Sequence, residues 1–278
     1  MWRVTEPFHA LVYFAPETRA AYDEAGLKGG WMGYFASRSA AMGPVAASVV
    51  AAAFYNFHPE MVRRAIPDAW SFATPASVLE ARLKGVDAAL RRILGSAAEG
   101  DAVRGAARLA RRACEACTSP GRPVYAAHAD LPWPGVPHLE LWHACTLLRE
   151  FRGDGHVTAL MLANLDGCEA HVALSASGAV SRSTLEPFRG WSSEEWNSAA
   201  RRLQERGWLD EDGRLTKEGG TAHALLEQRT DELANAPWLH LGDERCSELH
   251  GLMIEVLRPV LEAGALRYPN PIGVPRPE

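Results

Sequence analysis

Residues 196–233 read WNSAARRLQERGWLDEDGRLTKEGGTAHALLEQRTDEL, and this stretch decides the fold class of the chain. Two serines and two glutamates at 192–195 precede it, a pattern typical of a capped helix start. The Asp-Gly pair at 212–213 predicts a tight turn, and therefore a short β-hairpin, directly after this helix. From Lys217 the helical spacing resumes, which predicts a long closing helix through Ala234.

Upstream of this stretch, residues 138–175 predict further helices separated by short turns. The first covers 138–151, a second is opened by Asp154-Gly155-His156 and runs to Leu162, and a third is capped by Asp166 and runs to about Ser175. Helices followed by a hairpin and a closing helix are the order of a winged helix.

The rest of the chain divides at a proline-rich segment. Apolar residues at spacings of three and four predict a helical domain over 1–118. Residues 119–137 interrupt that pattern and predict a packed connector, which leaves 138–278 as the winged-helix domain with C-terminal helices. The connector contains Pro120, Gly121, Pro123, Pro132, Pro134, Gly135 and Pro137.

Two resemblances agree with this division. Over 138–234, the pattern RL-x-x-RG-W-L, followed by D-G-R-L-T-x-x-G, resembles the recognition helix, wing and next helix of the MarR-type winged-helix family. The whole chain also resembles an actinobacterial helix-turn-helix-like family through EPFHALVYFAPE, GYFASRSAAMGPV, FYNFHPEMVRRAIPDAW and LWHACTLLREFRGDGH. These resemblances imply a mainly α fold, in which an N-terminal helical domain packs on a MarR-like winged helix with a small β-hairpin wing. They leave the activity open.

Composition and charge exclude several classes of protein. Of 278 residues, 47% are hydrophobic, which excludes a disordered chain, and the net charge of −5 argues against broad phosphate binding. The five cysteines are an odd number and no segment resembles a signal peptide, so we expect a soluble cytoplasmic protein. The most apolar stretch, 45–57, is shorter than the about 20 residues that cross a bilayer, so no membrane partner is expected.

The charges on the winged helix do not suit DNA. Glu194 and Glu195 stand at the start of the reading helix, and residues 210–212 of the wing are acidic, with one arginine, Arg214, beside them. Carboxylates that face a phosphate backbone repel it. DNA binding is therefore not expected as the main function, although a ligand-responsive MarR-like regulator that binds DNA as a homodimer remains the alternative.

The segment 149–156, REFRGDGH, holds the densest group of ionisable residues. We predict that His143 and His156 transfer protons in a cleft between the two halves, with Asp154 or Glu150 orienting an imidazole. The alternative interpretation is a polar turn between helices, in which Asp154 is a cap and Arg149 pairs locally with Glu150.

Polar and aromatic residues in the first half and the connector predict the other wall of this cleft. Arg38 lies four residues after Tyr34 in an apolar context, so it needs Glu6, Asp23 or a bound anion as a partner. The predicted ligand-binding residues are Tyr34, Arg38, Tyr55, Asn56, Trp133, Trp142, Thr146, Arg149 and Arg152. Among them, Arg38 and Arg152 would hold an anionic or carbonyl group.

Cofactor motifs are missing from the sequence. It has no phosphate-binding loop, no G-x-G-x-x-G and no G-x-S-x-G, and no metal-ligand quartet at workable spacing. Cys114 and Cys117 are predicted to be core residues, and no cofactor or metal is expected. The sequence thus favours a small organic ligand bound by a repurposed winged helix. Cofactor-independent acid/base catalysis on that ligand, by hydrolysis, elimination, isomerisation or cyclisation, is the finer form of this hypothesis. A haem- or metal-binding protein that uses His143 or His156 is a second alternative.

Overall fold

The computed structural model describes residues 1–277, and 71% of the chain is helical. The α-helices of the described residues are α1 (Trp2–Phe14), α2 (Pro16–Glu24), α3 (Gly29–Ser39), α4 (Ala47–Phe54), α5 (Pro59–Arg63), α6 (Ala69–Phe72), α7 (Pro75–Leu94), α8 (Asp101–Cys114), α9 (Pro123–Ala129), α10 (Pro137–Leu162), α11 (Gly167–Ala176), α12 (Arg182–Leu185), α13 (Ser193–Glu205), α14 (Lys217–Leu233), α15 (Ala236–Leu241) and α16 (Asp243–Glu262). The mainly α prediction is confirmed.

Several helices begin at a residue whose side chain caps the first turn, two of them where the sequence predicts a cap, at Asp166 and Ser192. The Thr74 hydroxyl accepts the Ser77 N–H at 3.2 Å and starts α7. Asp166 and Ser192 each form a reciprocal capping box, at the starts of α11 and α13. Such caps satisfy backbone N–H groups that have no partner inside the helix, which fixes where each helix begins.

Three apolar cores hold the helices together. The first is formed by α1, α7, α8, the first half of α10 and α16. The second lies among α2 to α7. The third joins the end of α10 to α11, α13 and α14. Helix α10 therefore contributes to two cores, and the first core draws on both sides of the proline-rich connector.

The predicted turn at Asp154 is wrong, because α10 continues through Gly153, Asp154 and Gly155. Glycine costs about 1 kcal/mol inside a helix, but tertiary packing outweighs that cost here. A Cβ at Gly155 would lie 2.9 Å from Nη1 of Arg122 and 3.1 Å from Cβ of Leu233. This glycine therefore serves close packing of α10 rather than a turn.

The predicted β-hairpin wing is also wrong. Between α13 and α14, Leu209 and Leu215 form a single isolated bridge, and residues 1–277 contain no strand. The Trp208 N–H donates to the Leu203 carbonyl at 2.8 Å and so belongs to the end of α13. Thr216 on the other arm already caps α14. The two arms share only two backbone hydrogen bonds, from the Asp210 N–H to the Arg214 carbonyl at 2.9 Å and from the Thr216 N–H to the Trp208 carbonyl at 3.0 Å, so the pairing does not extend into strands.

None of the helices within residues 1–277 is long and apolar enough to cross a membrane.

Candidate functional site

A cavity of about 240 Å³ lies where α1, α3 and α4 meet α10, α11 and the segment 271–273. Its wall carries eight residues that the sequence analysis proposed for a site. They are Tyr34, Arg38, Asn56, Arg149, Glu150, Arg152, Asp154 and His156. Seven of them come from α3 or α10 within two turns of one another along their helix, and the fold brings the two groups together.

Arg38 and Glu150 form the central ion pair of the cavity wall. Nη2 of Arg38 lies 3.1 Å from Oε2 of Glu150, and Nη1 donates to the Tyr34 hydroxyl at 3.0 Å. Arg149 donates to the same Glu150 oxygen at 2.7 Å. Burial opposes ionisation of Glu150, but Arg149 and Arg38 outweigh it and hold the pKa of Glu150 well below its usual range. The partner of Arg38 is thus Glu150, and not Glu6 or Asp23.

Glu6 is a second buried carboxyl group on this wall. Its Oε1 lies 3.6 Å from Nε of Arg149, yet neither of its oxygens has a hydrogen-bond partner. Burial raises the pKa of Glu6. Burial thus disfavours the charged form of this carboxyl group, and its two oxygens leave hydrogen-bonding capacity for another group.

Arg152 and Asp154 are already engaged by neighbouring helices. The Arg152 guanidinium lies 3.4 Å from Asp231 and 3.6 Å from Glu227. Oδ2 of Asp154 accepts the Tyr125 N–H at 2.9 Å, near the start of α9, so Asp154 supports another helix and not its own. Burial raises the pKa of Asp154 to about 6.

His156 lines the cavity, and one of its ring nitrogens has no hydrogen-bond partner among residues 1–277. The Thr230 hydroxyl donates to the Leu226 carbonyl at 3.0 Å, so it accepts a hydrogen bond from Nδ1 of His156, also at 3.0 Å. Nε2 makes no hydrogen bond to any residue in 1–277 and is the basic atom. Burial, with Arg152 adding to it, lowers the pKa of His156 to about 4. The imidazole is therefore neutral at pH 7.

Four residues on the cavity wall have buried polar atoms without a partner among the described residues. These atoms are both carboxyl oxygens of Glu6, Oδ1 of Asn56, Nδ1 of His171 and Nε of Arg189. Buried polar atoms in proteins are usually hydrogen-bonded, and leaving one unpaired costs about 1–3 kcal/mol. Their concentration around one cavity indicates a place for a polar ligand or for water.

The structure places five of the predicted residues elsewhere. His143 is about 20 Å from His156 along α10, at about 1.5 Å per residue. Its ring packs edge-on against that of Trp133, with 4.8 Å between the ring centres. Trp142 and Thr146 lie in the first core beside His9. The Tyr55 hydroxyl donates to the Leu165 carbonyl at 2.5 Å. The expectation that His143 and His156 face one cleft is therefore wrong, because they are separated by about four turns of one helix.

Sequence reasoning missed several residues of the wall. Tyr13 lines the cavity, and its hydroxyl lies 2.8 Å from Nε2 of His9, whose Nδ1 lies 3.0 Å from the Thr146 hydroxyl. His9 and Tyr13 are four residues apart in a predicted helix, so they share a face, and this spacing could have pointed to them. Nothing in the sequence around Arg189 distinguishes it from a surface arginine.

The cavity wall offers no metal centre. Within residues 1–277, no group of three or more His, Cys, Asp and Glu side chains is arranged to hold a metal ion. Buried thiols and imidazoles such as Cys145 and His128 lie in the packed interior.

Two arginines at the C-terminal end of α13, the helix that would read DNA, donate hydrogen bonds to other parts of the protein. Arg202 donates to Asp166 and Glu169, and Arg206 donates to the carbonyls of Ala163 and Asn164. At the start of α13, Oε1 of Glu195 lies 3.0 Å from Nε2 of His58, in the N-terminal half of the chain. This end of the helix is therefore docked against its own protein.

Fold and site together define a mainly α-helical protein with a cavity, lined by several charged side chains, between its helices. Residues 1–267 match the family described as the helix-turn-helix family, and the chain belongs to it. Neither the curated proteins nor the solved structures contain a match to the chain.

Proposed function

We propose that this protein binds a small polar organic molecule in the cavity between α1, α3, α4 and α10. The observation that supports the proposal most is the set of unpartnered buried atoms on Glu6, Asn56, His171 and Arg189. Aromatic side chains on the same wall, such as Phe54 and Phe57, supply apolar contact. A concave site with a few convergent polar groups is typical of small-molecule binding.

An acid/base reaction on the bound molecule is the finer form of this proposal. Its support is that Asp154 has a pKa of about 6, close to a working pH, and lies on the cavity wall. His156 offers a free Nε2, but its pKa of about 4 makes it a weak base. Asp154 is therefore the better candidate for proton transfer.

The experiment is a thermal-shift screen of small organic molecules against wild type, Ala53→Trp and Ala20→Trp. Ala53 lines the cavity, so Trp there fills it, whereas Ala20 is exposed on α2 and serves as the matched control. A ligand at about 100 times its Kd stabilises a protein by about 2.7 kcal/mol. We expect compounds that stabilise wild type and Ala20→Trp but not Ala53→Trp. If Ala53→Trp does not fold, Ala53→Leu replaces it.

The proposal fails if no compound stabilises wild type, or if every compound that does so stabilises all three proteins equally.

A transcription regulator is the second candidate, because the chain belongs to a helix-turn-helix family. Such a regulator would bind DNA as a homodimer through α13 and the following turn. Against it stand the docked start of α13 and the exposed acidic residues 210–212. Family membership alone does not establish the activity of a fold.

A further inference from the structure

Arg189 differs from the other arginines of the cavity wall. Arg38, Arg149 and Arg152 each have a carboxylate within 4.0 Å, whereas Arg189 has no carboxylate partner anywhere in the described chain. Its Nη1 donates to the Phe188 carbonyl at 3.2 Å, its Nη2 donates to the Pro271 carbonyl, and its Nε is buried without a partner. The guanidinium also lies over the Phe57 ring, 4.8 Å from its centre.

The surroundings of Arg189 do not neutralise its charge. Burial lowers its pKa to about 10, so it stays protonated at pH 7. Arg38 and Arg149 add to the positive charge nearby, and they already share Glu150. Burial raises the pKa of Glu6, which weakens it as a counter-charge. Arg189 is half-buried, with its Nε fully buried, and a charge so placed without a counter-ion is unfavourable. An anion would relieve it.

An apolar groove adjoins the cavity. It has a volume of about 460 Å³ and shares Ala53, Asp154 and Val157 with the cavity wall. Val49 and Met161 lie on it and are 45% and 64% exposed. The charged side chains line the cavity, and the adjoining groove is lined mainly by apolar ones.

We propose that the ligand of this protein is an organic carboxylate whose anionic group pairs with Arg189 and whose apolar part extends past Ala53 and Val157 into the groove. This inference rests on the proposed function, since it names the class of molecule that the cavity binds. Arg189, rather than the predicted Arg38 and Arg152, then holds the anionic group, because those two already have carboxylate partners.

The test measures binding of 4-phenylbutyrate and its neutral amide, 4-phenylbutyramide, by calorimetry at constant ionic strength. Hydrogen bonds to a charged group contribute about 1.5–3 kcal/mol, so we expect the acid to bind wild type at least about tenfold more tightly than the amide. Arg189→Gln should remove this preference, and Arg189→Lys should retain part of it. Arg201→Gln, at an exposed arginine of α13, is the control and should bind like wild type.

Equal affinity for acid and amide, or a preference that survives Arg189→Gln, overturns the carboxylate inference and leaves small-molecule binding intact. Binding of neither probe also overturns it, while the proposed function is judged separately by the screen with Ala53→Trp. If Arg189→Gln does not fold, Arg189→Lys is compared with wild type. Lysine is a point charge without the planar guanidinium, so Arg189→Lys should bind the acid more weakly and the amide as wild type does. Unchanged binding of the acid would overturn the inference.

Discussion

Arg38 and Glu150 are 112 positions apart in the sequence, yet their side chains form an ion pair, with 3.1 Å between Nη2 and Oε2. The side chains are only 7% and 2% exposed. The pair joins α3 to α10, and both residues line the cavity.

Glu150→Gln should destabilise the protein by about 3–5 kcal/mol, because it leaves the buried Arg38 guanidinium without a counter-charge. Adding Arg38→Met should recover part of that loss. The measurement is urea unfolding at pH 7. The control is Asp23→Asn in the exposed pair with Arg19, where we expect about 0–1 kcal/mol. If Glu150→Gln and Asp23→Asn lowered the free energy of unfolding equally, the buried pair would not depend on charge compensation more than the exposed pair does.

His156→Gln should change how stability depends on pH. The pKa of His156 is about 4 in the folded protein and about 6.5 when unfolded, so the unfolded state binds the proton first as the pH falls. Stability is therefore lost from about pH 6.5 down to about pH 4, and this one residue contributes about 2 kcal/mol of the loss between pH 7 and pH 5.

The measurement for His156 is the free energy of unfolding at pH 7 and pH 5. His156→Gln should reduce the loss between these values, whereas His250→Gln, at an exposed position of α16, should leave it as in wild type. An unchanged loss in His156→Gln would mean that this imidazole is not held neutral.

Gly167→Ala should be strongly destabilising. A Cβ at Gly167, the first residue of α11, would overlap the carbonyl oxygen of Tyr55, which lies in the turn between α4 and α5. Tyr55 has φ +36° and little freedom to move away. We expect a loss of at least about 1–3 kcal/mol in chemical unfolding. Gly251→Ala, on an exposed face of α16 with no neighbour near its Cβ, should instead gain about 0.5–1 kcal/mol, and a similar result at both glycines would contradict the close approach.

Random duplex DNA should not be retarded by the protein in a mobility-shift assay at about 50 mM salt. Glu194, Glu195 and residues 210–212 put carboxylates at the start of α13 and on the turn that follows, where a reader of DNA needs positive charge. Retardation of the DNA, with an affinity that falls steeply as salt increases, would favour the regulator candidate instead.

Local signals in the sequence were sufficient to place many helices. Thr74, Asp166 and Ser192 are caps whose side chains act within three residues, so their effect can be read without the fold. Asp154 shows the limit of such signals. It resembles a cap followed by glycine, but its carboxylate supports Tyr125 on a different helix, which only the tertiary structure reveals.

Local signals also explain why only part of the candidate site was predicted. Arg38, in an apolar helix, required a partner, and the dense charges of 149–156 suggested a polar site, but neither signal could show that Glu150 is that partner. Arg189 lies in a segment with no periodic pattern, and its isolation depends on which carboxylates the fold brings near it. Charge compensation across helices is a property of the packed chain, so the sequence could not identify this arginine.

Helix α10 is held at both ends, by the first core near Trp142 and by the third core near Leu160. The cavity residues Arg149 to Val157 lie on the span between these anchors. A molecule that enters the cavity therefore meets side chains whose backbone is already ordered, and little conformational entropy remains to be lost on binding. Affinity for a correctly shaped ligand gains from this preorganisation, and a ligand of another shape finds a wall that does not adapt to it.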